Sequence, residues 1–146
     1  MLQVRHLKVS FRTEAGIVRA VDNVSFDVNE CEILGVVGES GSAKTVSLLS
    51  VIGLIIDSNA EIEGSIVYKG RELIGLPQSE LRHVRGNEIA MIFQDPMTAL
   101  TPVYTIGWQI AEQVRTHTDL SKSAARRRAI ELLAEVGLPN PAAAVD

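Results

Sequence analysis

A chain of 146 residues with 46% hydrophobic and 22% charged residues holds enough apolar material for one folded domain, which at this size buries about two-thirds of its unfolded surface. The composition excludes the polar, charge-rich signature of disorder, and a net charge of −4 with a pI near 5.4 gives nucleic acid no basic face to bind. The single cysteine, Cys31, has no partner for a disulfide and no ligand-spaced neighbour for zinc, which fits a reducing compartment.

In chain order, residues 2–11, 17–21 and 24–28 alternate apolar and polar side chains in part, with Glu14, Ala15 and Gly16 as a turn. They predict an antiparallel β opening. Residues 33–37 are a compact apolar run bounded by Glu32 and Gly38, the pattern of a strand buried on both faces of a parallel sheet. Residues 45–56 favour a buried helix that Gly53 can end.

Residues 63–68 read as a strand turned by Lys69 and Gly70, and Pro77 starts a helix whose apolar side is Leu81 and Val84. Residues 89–93 read as a second buried strand, in one sheet with 33–37. Two helices follow, over 106–116 and 123–136; Ala129, Leu132, Leu133 and Val136 recur at helical spacing before the stop at Gly137 and Pro139. Residues 140–146 read as a loop. Arg126, Arg127 and Arg128 form a solvated helix face.

The apolar stretch 48–56 is about half the length of a membrane span, and the N-terminus lacks the continuous apolar core of a signal peptide. Any membrane association is therefore expected through a partner, with the chain on the cytoplasmic side.

The chemistry concentrates at Gly38, Glu39, Ser40, Gly41, Ser42, Ala43, Lys44 and Thr45, between the expected strand and the expected helix, which is the context of a phosphate-binding loop. Backbone N–H groups and the helix N-terminus offer donors and positive dipole to a polyphosphate. Lys44 adds charge near the β- and γ-phosphates, and Thr45 offers a hydroxyl to Mg²⁺. Ala43 departs from the motif, which has glycine before the lysine; if that position needs positive φ, alanine costs about 1–2 kcal/mol there. Gln94 closes the second buried run, and ligands collect at the carboxyl ends of such strands.

The runs GVVGESGSAKT and RGNEIAMIFQDPMTALTPVYTIG, with AVDNVSFDV before them and AARRRAIELLAEVGLP after, resemble the ATPase subunits of bacterial dipeptide and oligopeptide ABC importers over essentially the whole chain. The resemblance implies an α/β P-loop domain of the ABC type, incomplete. Its parts would be a mainly antiparallel β portion (1–30), a P-loop core (31–95) and the start of a helical subdomain (96–146). It implies ATP and Mg²⁺ as cofactors, Phe11 stacking on adenine, and Gln94 as the Q-loop glutamine at Mg²⁺ and the attacking water, followed by Asp95 and Pro96. It also implies transmembrane permease subunits and a second ATP-binding subunit as partners, a solute-binding protein indirectly, and a peripheral place on the cytoplasmic face of the membrane.

Four positions depart from the family pattern: Cys31 and Ala43 stand where glycine is usual, Thr101 replaces asparagine, and Trp108 replaces a common glutamate. Trp108 is expected in helix packing or a partner contact. No LSGGQ-like signature, apolar run ending in Asp-Glu or later switch histidine occurs among these residues, so the general base and the partner-contact residues of the family are not in this chain. The alternatives to a transport ATPase are a non-hydrolytic nucleotide-binding or regulatory module and an inactive truncated product.

Overall fold

The computed structural model describes residues 1–94 and 99–145; Asp95 and Pro96, expected to continue the Q-loop, lie outside them. The chain forms two compact units, Met1–Arg85 and Gly86–Asp146.

The first unit is built on a four-stranded antiparallel sheet in the order β2-β1-β3-β4. Its strands are β1 (Leu2–Thr13), β2 (Gly16–Val28), β3 (Ala60–Tyr68) and β4 (Arg71–Glu72). The expected opening is present, but the two runs at 17–21 and 24–28 are one strand. Strict alternation fails in β1, where Val4, Leu7 and Val9 are all buried. The ladder shows why: the register of β1 shifts between Val4 and Leu7 against β2, and between Arg5 and Lys8 against β3. His6 takes φ +50° within that bulge, which returns three odd-spaced apolar residues to one face. Across from it, a Cβ on Gly64 would lie 2.6 Å from the Arg5 carbonyl oxygen.

Lys69 and Gly70 both have positive φ, as a two-residue hairpin turn between β3 and β4 requires. Glu72 then ties the hairpin internally: its carboxylate accepts from Ser65 Oγ, from Ile66 N at 2.8 Å and from Ile74 N at 3.1 Å. Burial pushes the Glu72 carboxyl up, but these bonds together with the Leu73 N–H outweigh it and hold the group below its usual range.

Helix α1 (Lys44–Val51) is shorter than the expected 45–56. Gly53 ends it: with φ +62° it donates to Ser50 O, while Leu54 N donates to Leu49 O, the paired bonds of a Schellman stop. Arg85 then covers the exposed carbonyls, its Nε donating to Ile52 O at 2.7 Å and its guanidinium also to Gly53 O. Helix α2 (Gln78–Val84) follows Pro77 as expected and buries Leu81 and Val84.

Residues 33–37 are not a strand. The segment has no assigned secondary structure, and Ile33 and Val37 are 97% and 94% exposed. Residues 89–93 fare similarly: Ile92 is 92% exposed, and Gly86 N donates to Ile89 O in a tight turn. Both runs have the composition of buried strands, but a strand exists only through a partner's backbone groups. Among the described residues neither run pairs into the sheet.

The second unit packs α3 (Ile106–His117), α4 (Lys122–Glu135) and the short α5 (Pro141–Ala144), which occupies part of the expected terminal loop. Thr105 and Ser121 cap the two long helices through Trp108 N and Ala124 N. Ala125, Ala129, Leu133 and Val145 are buried, and Ile110, Ala111 and Ile130 pack against Ala129, Leu133 and Val145. Gly107 allows the closest approach: its N–H donates to Val145 O at 2.9 Å, and a Cβ there would lie 2.3 Å from that oxygen. Helix α4 ends in a second Schellman stop, Gly137 N to Ala134 O and Leu138 N to Leu133 O. Arg128 pairs with Glu131 and Glu135 on the solvated face.

Candidate functional site

Residues 38–42 are exposed and, with the half-buried Ala43, form a loop that enters α1 at Lys44. Ser42 N donates to Glu39 O at 3.2 Å, and Gly41 at φ +81° and Ala43 at φ +59° reverse the chain twice. Ala43 is the N-cap of α1 in the left-handed region, with no side-chain cap and no acidic residue in the first turn. Among the described residues the first N–H groups of α1 therefore have no side-chain acceptor. Such donors, together with the helix dipole, suit an anion.

Lys44 folds back across the loop. Its ammonium donates to Gly38 O at 2.7 Å, Glu39 O at 2.8 Å and Ser42 Oγ at 3.1 Å, which uses all three of its protons. A Cβ on Gly38 would meet Ser42 Oγ at 2.6 Å, so a larger residue there would turn the Ser42 hydroxyl away from its place beside Lys44. Thr45 is exposed, and among the described residues its hydroxyl has no hydrogen-bond partner. N–H donors at the helix start and a cation inside the loop suit a polyphosphate, with the exposed Thr45 hydroxyl beside them.

Phe11 is half-buried in β1, paired with Val18 on one side and Ala60 on the other; the strand continues two residues past it. Gln94 belongs to the second unit and is exposed. The loop residues are thus brought together in the first unit. What the motif could not reveal is the set of oxygens on which Lys44 rests, since two of the three are backbone carbonyls.

The family model described as ABC transporter matches residues 21–145. A peptide import ATP-binding protein of Brucella abortus (strain 2308) is 49% identical over the whole chain, which covers 44% of that protein. The dipeptide transport ATP-binding protein DppD of Escherichia coli (strain K12) is 44% identical over the whole chain, which covers 45% of it. The chain thus spans less than half the length of these relatives.

Among solved structures, the ATP-binding cassette MJ0796, as a post-hydrolysis dimer bound to ADP and Pi, matches at a TM-score of 0.76 with 23% identity. That match covers 96% of this chain and 59% of the other. A second dimeric structure of MJ0796 matches at a TM-score of 0.77 with 20% identity, covering 100% and 60%. These likenesses give the fold, that of an ABC cassette. With its family model matched over residues 21–145, the chain belongs to the ABC transporter family.

Proposed function

We propose that this chain is the N-terminal portion of an ATP-binding subunit that energises ABC-type import of peptides or similar solutes. The observation that carries the reading is the uncapped start of α1 with Lys44 held inside the loop before it.

In this reading Gly38, Glu39, Ser40, Gly41, Ser42 and Ala43 wrap the β- and γ-phosphates of ATP, while Lys44 exchanges its loop oxygens for phosphate oxygens. As the resemblance implies, Thr45 and Gln94 would each be ligands for Mg²⁺, Gln94 would orient the attacking water, and Phe11 would stack on adenine. The metal would neutralise charge on the phosphates. Residues 1–30, 31–95 and 96–146 correspond to the antiparallel portion, the P-loop core and the start of the helical subdomain. Both named relatives are import or transport ATP-binding proteins, which supports a peptide cargo, permease subunits and a second ATP-binding subunit as partners, and a peripheral place on the membrane. Among the described residues no helix is long and apolar enough to cross a membrane.

The test is equilibrium dialysis of the chain against MgATP and adenosine, followed by a turnover assay. We expect MgATP to bind at least about tenfold more tightly than adenosine, because the loop reads phosphate, with phosphate release at background. Equal binding of the two ligands would remove the loop from the site. Turnover above background would show that the 146 residues hold a general base the reading does not contain.

A further inference from the structure

Helix α1 carries the loop at its first residue and is held at its last. Of its residues only Ser50 and Val51 are buried, with Ile52 buried just beyond them, whereas none of residues 44–49 is. The start of the helix is therefore a projecting end. Eight residues make a rod of about 12 Å, so a tilt of about 5° where it is held displaces its start by about 1 Å. A displacement of that size misaligns N–H donors, and such misplacement of binding groups is costly.

Arg85 grips the held end. Its Nε donates to Ile52 O at 2.7 Å, its Nη2 to Gly53 O, and its Nη1 to Gln78 Oε1 at 3.2 Å. Each guanidinium nitrogen thus has an acceptor, and among the described residues no carboxylate pairs with it. Because the group is planar, bonds from all three nitrogens fix its direction as well as its place. They also set a cation at the end of α1 where the helix dipole is negative. Gly53 makes the room: a Cβ there would lie 2.9 Å from Leu81 Cδ1 and 3.1 Å from Arg85 Nη2. Arg85 is itself anchored, since its N–H donates to Leu81 O at 2.9 Å at the end of α2, which buries Leu81 and Val84.

We propose that Arg85 is a positioning residue for the phosphate loop: by gripping the carbonyls that end α1, it sets the direction in which the other end of the helix presents Lys44 and the first N–H groups. It touches no phosphate and acts through the helix. Its effect on nucleotide rests on the reading of the loop as a phosphate cradle, whereas its effect on the placement of the loop does not.

The experiment compares the unaltered 146-residue chain with Arg85→Met and Arg85→Lys, first by backbone amide spectra without ligand and then by calorimetric titration with MgATP. Arg85→Met removes the guanidinium and keeps an apolar stem; Arg85→Lys keeps the charge without the planar fork. Without ligand, both variants are expected to move the amide resonances of residues 50–54 beside the substitution. They are also expected to move those of Gly38, Gly41, Lys44 and Thr45, about 12 Å away at the other end of the helix. In the titration Arg85→Met is expected to bind MgATP about tenfold more weakly, and Arg85→Lys about threefold.

A residue that merely capped the helix end would shift residues 50–54 and lower the urea midpoint with the loop resonances unmoved, and that result overturns the proposal. Loop resonances that move while MgATP affinity stays unchanged overturn it as well. So does an Arg85→Lys chain with the unaltered spectrum and affinity, since charge alone would then suffice. Where Arg85→Met fails to fold, Arg85→Lys carries both comparisons. If the unaltered chain binds no MgATP, the nucleotide reading fails, and the ligand-free spectra by themselves decide whether Arg85 places the loop.

Discussion

Ala43 and Cys31 occupy the two positions where the resemblance expects glycine, and both adopt the left-handed backbone, at φ +59° and +55°. The departures were legible in the sequence, but their cost was not, because φ is a property of the loop the residue sits in. With the angle known, alanine at 43 is strained by about 1 kcal/mol relative to glycine. Ala43→Gly is therefore predicted to raise the urea midpoint of the first unit. In a version extended to contain the rest of the domain, it is predicted to tighten MgATP binding about tenfold, read by calorimetric titration. Unchanged affinity would mean that the alanine methyl neither strains nor crowds the loop. Lys44→Ala should weaken MgATP in either background, since it removes the charge held among Gly38, Glu39 and Ser42.

Among the elements, helices and hairpins were the more legible because local signals define them. Pro77 before α2, Gly53 after α1, and Lys69 with Gly70 between β3 and β4 each act where the sequence places them. The runs at 33–37 and 89–93 were not, since apolar composition states only that a segment suits burial, and the partner strand lies elsewhere in sequence. The bulge in β1 was hidden for a related reason: it needs Gly64, more than fifty residues later, to let two backbones approach. Gly64→Ala is predicted to destabilise the first unit by roughly 2–3 kcal/mol, because its methyl would press on carbonyl oxygens of Arg5 and His6. A change under about 0.5 kcal/mol in denaturant unfolding would show that the bulge relaxes freely.

Glu72 gives the hairpin a pH dependence of known sign. Its folded value lies below the unfolded one, so the unfolded chain binds more protons and stability rises with pH across that interval. The contribution is fully present above the unfolded value of about 4.3 and is lost as pH falls through the lower folded value. Glu72→Gln should therefore flatten the acid limb of the urea midpoint against pH below about 5, and an unaltered limb would assign the acid sensitivity to other carboxylates.

At the scale of the molecule, the chain carries both the marks of an ABC cassette and exposed apolar runs that, among the described residues, pair into no sheet. Ile33, Val37 and Ile92 are each more than 90% exposed, and unpaired apolar extended segments favour association. The 146-residue chain should accordingly bind a hydrophobic dye and sediment as more than a monomer; a sharply unfolding monomer that leaves the dye dark would contradict this. The central claim, however, is that the loop before α1 is a phosphate cradle. The most direct measurement is the backbone amide spectrum of the isotope-labelled chain during titration with MgATP, for the unaltered protein and for Lys44→Ala. The account predicts saturable shifts concentrated on Gly38, Gly41, Lys44, Thr45 and their loop neighbours, and their loss or marked weakening in the variant. Shifts confined to other residues, or the same loop shifts at the same affinity without Lys44, would contradict it.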